Sequence, residues 1–257
     1  MDYSEQRSNR ILGIIPARYG STRFPGKPLI DINGRSMILR VYDQSLLAGV
    51  LDDVVVATDD HRIMEHVQAA GFRAVMTSPY HRSGTDRCLE AFDIYTGSHG
   101  MNYQFVINIQ GDEPFLPPEN IRQVADILIS GQAPIASLVK QITKREDIFN
   151  PNVVKAVLRH DMTALYFSRA PVPFLREVNE TQWSRKKAHF KHIGIYGFSA
   201  DALHQVCQLP PGKLEQAESL EQLRWLEAGF TIKLGLTELE NISVDTPEDL
   251  LKITNTA

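Results

Sequence analysis

Short apolar runs alternate with helically spaced stretches through the first half of the chain. Residues 11–15, 54–58 and 105–109 are almost continuously apolar, the pattern of strands covered on both faces, and 72–77 and 135–140 read the same way. Between them, residues 36–47, 61–70 and 118–129 carry apolar positions at helical spacing. Ser83 and Asp86 have the spacing of a capping box that opens a further helix. Asn33-Gly34 is a tight-turn signal between the apolar stretch 28–32 and the first helix. This alternation predicts an α/β fold with a doubly wound, mostly parallel sheet.

The second half is less regular. Residues 153–158 and 165–168 read as strands able to pair antiparallel, and 192–198 as a third strand. The Pro-rich, charged stretch 171–190 reads as an exposed excursion. A helix over about 214–228, a strand at 231–236 and a terminal helix from Pro247 complete the pattern. No repeat or linker divides the chain, so we expect one domain over 1–257, with about 150–200 as a smaller β-rich extension suited to dimerisation.

Composition narrows the function classes. The 257 residues are 43% hydrophobic, enough for one large α/β domain, and the net charge of -4 argues against a broad nucleic-acid face. Two cysteines without CxxC spacing make a disulfide framework or structural zinc site an unsuitable reading and fit a reducing cytosol. The polar first ten residues do not read as a signal peptide, and no apolar run approaches the roughly 20 residues that span a bilayer. These features point to a cytoplasmic protein without membrane insertion.

Against this mildly acidic background, one loop is locally basic. Arg18, Arg23 and Lys27 follow the first strand among Pro16, Gly20, Pro25, Gly26 and Pro28. Glycines allow close backbone approach and prolines limit the loop's freedom, so three cations there suit a polyanion such as a nucleotide triphosphate. A P-loop is excluded, because the spacing between the glycines is too long and Pro28 rather than Ser or Thr follows Lys27.

Asp112 lies just past an apolar strand, where open α/β sheets form their crevices, and is a candidate Mg²⁺ ligand; capping of the next helix is the alternative. Asp245 is the natural second ligand. In Val244-Asp245-Thr246-Pro247-Glu248-Asp249 it also suits a helix cap, and both roles hold together if Thr246 caps while Asp245 faces the cleft. Ser83-Gly84-Thr85 offers free N–H groups and hydroxyls to a base or anion, or simply starts a capped helix. Arg169 has the planar geometry to clamp a carboxylate. His192 and Tyr196 share one face of a strand with Gly194, either as a ligand face or as structure. Glu221-Gln222 is a solvated helix face or part of a site.

The basic loop, Ser83-Gly84-Thr85, Gln110-Gly111-Asp112-Glu113-Pro114, Tyr166-Phe167-Ser168-Arg169, His192-Ile193-Gly194-Ile195-Tyr196-Gly197, the stretch 220–224 and the stretch 244–249 together resemble the CMP-Kdo synthetase family, over about residues 11–253. Phe24 departs from that pattern, where Leu is usual. The resemblance implies a nucleotide-diphospho-sugar transferase-like fold and a homodimer. It implies transfer of CMP from CTP to 3-deoxy-manno-octulosonate (Kdo) with release of pyrophosphate, in lipopolysaccharide biosynthesis. Ala17, Arg18, Ser21, Arg23, Lys27, Arg82, Ser83, Gly84 and Gln110 would then surround CTP. Gln110, Arg169, His192, Tyr196, Glu221 and Gln222 would line the sugar side, and Asp112 and Asp245 would hold Mg²⁺. Arg18, Lys27, Asp112 and Asp245 would carry the chemistry.

Overall fold

The computed structural model describes residues 9–20 and 24–254, with side chains described as far as residue 250. Its first half runs β1 (Ile11–Ala17), a single 3-10 turn at Lys27–Leu29, the hairpin β2 (Asp31–Ile32) and β3 (Arg35–Ser36), α1 (Met37–Leu47), β4 (Asp53–Thr58) and α2 (His61–Ala69). Then come β5 (Ala74–Met76), α3 (Gly84–His99), β6 (Phe105–Asn108), α4 (Pro118–Ile129), β7 (Ile135–Gln141) and α5 (Arg145–Phe149). The second half holds β8 (Lys155–Leu158), β9 (Ala164–Ser168), a 3-10 segment at Glu180–Lys186, β10 (Phe190–Ser199) and α6 (Ala200–Cys207). It ends with α7 (Lys213–Glu218), α8 (Gln222–Glu227), β11 (Ile232–Leu236) and α9 (Pro247–Thr254).

The main sheet has the order β11-β7-β10-β6-β1-β4-β5. β6, β1, β4 and β5 are parallel, β10 runs antiparallel to both β6 and β7, and β11 is parallel to β7. Successive residues of β1 feed opposite layers: Leu12 and Ile14 join one apolar cluster with α3, α6 and α8, and Ile11 and Ile15 join the other with α1, α2 and α4. Both faces are therefore covered, which is why these strands read as unbroken apolar runs.

Strand order places the site. From β1 the chain moves outward through β4 to β5, then returns to lay β6 on the other side of β1. The loops leaving β1 and β6 thus diverge at a switch point, and the crevice between them is where ligands of open α/β sheets bind.

Three regions differ from the sequence pattern. The helix expected over 214–228 is two helices, because Ser219 takes a left-handed conformation (φ 51°) that ends α7. The stretch 171–190 is not wholly exposed: Trp183 is buried against Ile142, Ile148 and Leu175. α6 follows β10 directly, capped by Ser199, whose hydroxyl accepts from Ala202 N. The hairpin β8–β9 is tied to the main sheet through β8, whose Lys155 and Ala156 pair with Lys191 and Phe190 of β10.

Candidate active site

Three segments converge at the switch point. The first is the end of β1, Pro16-Ala17-Arg18, with Lys27 brought back beside it. Gly26 N donates to Tyr19 O at 3.0 Å, closing the intervening loop, and Gly26 adopts φ 71°, which favours glycine. The second is Gln110-Gly111-Asp112 after β6. A Cβ on Gly111 would lie 2.6 Å from the carbonyl oxygen of Pro16, so only glycine lets these two strand ends pack backbone to backbone. The third is the irregular stretch 237–246, whose Val244 N donates to Asp112 O at 2.9 Å.

This convergence brings one cation between two carboxylates. The Lys27 ammonium lies 2.8 Å from Asp112 Oδ2 and 3.3 Å from Asp245 Oδ1. The helix cap is supplied by the neighbouring residue: Asp249 N donates to Thr246 Oγ1 at 3.3 Å, and Thr246 N donates back to Asp249 Oδ2 at 3.1 Å. Thr246 and Asp249 thus form a reciprocal capping box ahead of α9, and Asp245 is left to face the crevice. Two carboxylates already converging on a single positive charge fit a hard, oxygen-preferring cation such as Mg²⁺. Among the described residues no group of three or more His, Cys, Asp or Glu forms a metal cluster, so the rest of such a shell would fall to water and substrate oxygens.

The cavity here, about 170 Å³, is lined by Ala17, Arg18, Lys27, Gln110 and both aspartates. It adjoins a second, about 180 Å³, lined by Ala17, Arg18, Arg82, Ser83, Gly84, Arg87 and Gln110. Arg18 and Gln110 belong to both, so the expected nucleotide residues share one cleft. Arg18 and Arg82 are exposed at its mouth. Ser21 and Arg23 lie outside the described residues. Ser83 caps α3, its hydroxyl accepting from Asp86 N at 3.1 Å, and it also lines the second cavity.

Arg87 was not expected in the cleft. It is buried, with one amino group donating to Thr77 Oγ1 at 2.6 Å and the other to Asp59 Oδ2 at 2.7 Å. A charged residue among the inward positions of α3 is the sequence signal for it, as is Asp59 at another strand end. Glu113, beside Asp112, was also missed as a site residue. Its burial, together with the charge of Asp112, pushes its carboxyl pKa up to about 8.

The residues expected on the sugar side fall into separate groups. Glu221 and Ser219 line a third cavity that shares Arg82 and Ser83 with the second. Glu221 accepts from the Thr85 hydroxyl at 2.7 Å and from Arg224 at 2.8 Å, and burial raises its carboxyl pKa. Gln222 is buried at the start of α8. His192 packs between Phe167 and Tyr196, with ring centroids 5.2 and 5.1 Å away. Its Nε2 lies 2.8 Å from Ser137 Oγ, whose hydroxyl donates to Ile195 O at 2.7 Å, so Nε2 is the donating nitrogen. Burial pushes the His192 pKa down to about 4. Tyr196 stands opposite Asn108 across β10 and β6, and among the described residues neither Tyr196 Oη nor Asn108 Oδ1 has a hydrogen-bond partner.

Arg169 is held by backbone. Its guanidinium donates to Glu218 O at 2.7 Å, Pro151 O at 3.0 Å and Ser219 O at 3.3 Å. Its own carbonyl accepts from the buried Lys155 ammonium at 2.6 Å. Arg169 therefore fastens the turn between α7 and α8 that presents Glu221.

The cytidylyltransferase family model matches residues 12–237. A 3-deoxy-manno-octulosonate cytidylyltransferase of Parabacteroides distasonis is 51% identical over 247 residues, covering 95% of this chain and 96% of the relative. A protein of the same name from Cytophaga hutchinsonii is 49% identical, covering 96% and 97%. The chain belongs to the 3-deoxy-manno-octulosonate cytidylyltransferase family. A solved structure of CMP:2-keto-3-deoxy-manno-octonic acid synthetase complexed with CTP superposes with a TM-score of 0.88 at 39% identity, covering 96% of this chain and 98% of that one. A cytidylyltransferase of Leptospira borgpetersenii, 15% identical with a TM-score of 0.61, shares the fold. Family membership agrees with the mostly parallel sheet and with the motif order read from the sequence.

Proposed function

We propose that this protein transfers CMP from CTP to Kdo, giving CMP-Kdo and pyrophosphate. The observation that carries this reading is the convergence of Lys27, Asp112 and Asp245 in a crevice continuous with the Ser83–Gly84 helix start, within a chain of this family. The reaction brings an anionic sugar acid to a polyanionic nucleotide, so positioning and charge compensation dominate its catalysis.

The anomeric hydroxyl of Kdo attacks the α-phosphorus in line, and pyrophosphate leaves from the opposite side. Arg18 and Lys27 offset the negative charge that gathers on the departing phosphates. The Ser83–Gly84 turn receives the cytosine, with Gln110 between the two halves of the cleft. Asp112 and Asp245 would hold Mg²⁺, which supplies charge neutralisation and polarisation at the reacting phosphate when bound. Lys27 would then serve the triphosphate, with both carboxylates holding the metal. His192, Tyr196, Glu221 and Gln222 form the sugar-acid side, and Arg169 supports it from behind.

The product is an activated sugar acid for lipopolysaccharide assembly, made in the cytoplasm. The β8–β9 hairpin exposes Leu165, and the following stretch exposes Phe174, which supports its use as the contact of a homodimer. No helix among the described residues is long and apolar enough to cross a membrane. Incubation with CTP, Kdo and Mg²⁺, followed by mass identification of the product, tests the reading: CMP-Kdo supports it, and its absence from a folded, CTP-binding protein overturns it.

A further inference from the structure

The stretch 237–246 carries Asp245 without belonging to any helix or strand. Something other than a ladder must fix it against the loop that carries Asp112. Part of the answer is a chain of side-chain hydrogen bonds with one direction. The Thr237 hydroxyl donates to Asn120 Oδ1 at 2.8 Å, the Asn120 amide donates to Asn241 Oδ1 at 2.8 Å, and the Asn241 amide donates to Glu113 Oε2 at 2.6 Å. Thr237, Asn120 and Glu113 are all buried. Such a chain ties both segments to α4, and each buried partner is costly to leave unpaired.

Asn241 is the link that spans the two segments. Its oxygen is fixed by α4 through Asn120, and its nitrogen reaches the residue next to Asp112. Three residues further on, Val244 N donates to Asp112 O, and Asp245 follows. We propose that Asn241 is a positioning residue, which sets the spacing of Asp112 and Asp245 by locking the 237–246 stretch onto Glu113 and Asn120. The consequence for metal use rests on the transfer reaction proposed above; the locking itself does not.

Three variants separate this role from general stability. Asn241→Leu has similar bulk and removes both bonds. Asn241→Asp keeps the acceptor for Asn120 and, assayed above pH 8 where the Glu113 carboxyl is ionised, sets a second carboxylate against it. Combining Asn241→Asp with Glu113→Gln restores a donor–acceptor pair in the reverse sense, because the glutamine amide can donate to the new carboxylate. Hydrogen exchange of peptides within 237–246 reads the locking without substrate, and the Mg²⁺ dependence of CTP and Kdo turnover reads its consequence.

Both single substitutions should speed exchange in that stretch by about tenfold or more while peptides of β1 and β4 keep their protection, a tenfold change corresponding to about 1.4 kcal/mol of local opening. They should raise the half-saturating Mg²⁺ concentration, with kcat at saturating Mg²⁺ much less affected, and the double variant should recover both readouts. Unchanged exchange in folded Asn241→Leu overturns the locking. Faster exchange with an unchanged Mg²⁺ requirement, or a double variant no better than Asn241→Asp alone, overturns the positioning role. A wild type without transferase activity would instead overturn the proposed function, while the exchange data would still decide the locking.

Discussion

The Lys27 ammonium lies 2.8 Å from Oδ2 of Asp112, a residue 85 positions away in sequence. Its second partner, Asp245, is further still along the chain, so this contact reports the assembly of the whole crevice. It also shows where positive charge is wanted before any substrate arrives.

Replacing Lys27 with Met should therefore separate two effects. The variant should bind Mn²⁺ alone more tightly than wild type, because an internal competitor for Asp112 and Asp245 has gone. Its turnover should nonetheless fall, because the triphosphate loses a cation. Titration by electron paramagnetic resonance without nucleotide checks the first half; weaker Mn²⁺ binding would mean that Lys27 organises the carboxylates rather than competing for them.

Asp245→Asn and Thr246→Ala should have opposite profiles. Since Thr246 and Asp249 cap α9, Asp245→Asn should leave stability nearly unchanged and greatly reduce turnover, the amide being a poor Mg²⁺ ligand. Thr246→Ala should cost about 0.5–2 kcal/mol of stability through the lost cap. Thermal melts paired with initial rates distinguish the two, and an Asp245→Asn variant that keeps both its stability and its activity would assign Asp245 to the cap alone.

Gly111→Ala should damage the crevice without touching a charge. The added methyl would meet Pro16 O at 2.6 Å, so the two strand ends must part. Overpacking of this kind costs about 1–3 kcal/mol and would displace Asp112 from Lys27. Denaturant melts and the Mg²⁺ dependence of turnover should both shift, and wild-type values in both would show that the contact relaxes freely.

Arg169→Lys should lower stability and weaken use of the sugar acid together, because a single ammonium cannot span the carbonyls of Glu218, Pro151 and Ser219. CTP binding should be retained. A rise in KM for Kdo with no loss of thermal stability would instead favour direct contact between Arg169 and the sugar carboxylate.

Acid sensitivity should carry a His192 component. The fold holds this imidazole neutral to about 4, against roughly 6.5 in an unfolded chain. Below pH 6.5 the unfolded state therefore binds more protons, and the contribution is complete above that value and lost as pH falls toward about 4. His192→Gln should flatten the melting temperature across that window; an unaltered slope would show that other groups control it.

Much of the catalytic crevice was legible because its residues follow buried strands. Unbroken apolar runs gave β1, β4 and β6, and the crevice residues Arg18 and Asp112 stand just beyond two of them. The Asp245 alternatives were legible too, but that Thr246 supplies the cap of α9 shows only in its bonds with Asp249. What escaped depends on long-range packing. Ser219 ends a helix without a glycine or proline to announce it, and Trp183 is buried inside a stretch whose composition is polar. Arg87, Glu113 and Asn241 are ordinary residues locally; only the folded chain sets Asp59, Asn241 and Asn120 beside them.

The central claim is that this crevice joins CMP to Kdo, and the most direct measurement is sugar-dependent pyrophosphate release from CTP. Kdo, its amino-substituted analogue and sialic acid should be compared as acceptors at equal enzyme and Mg²⁺. The account predicts release that requires a sugar acid, with the highest kcat/KM on Kdo and loss of nearly all activity in Asp112→Asn. Release that is independent of any sugar acid, or fastest with sialic acid, would contradict it.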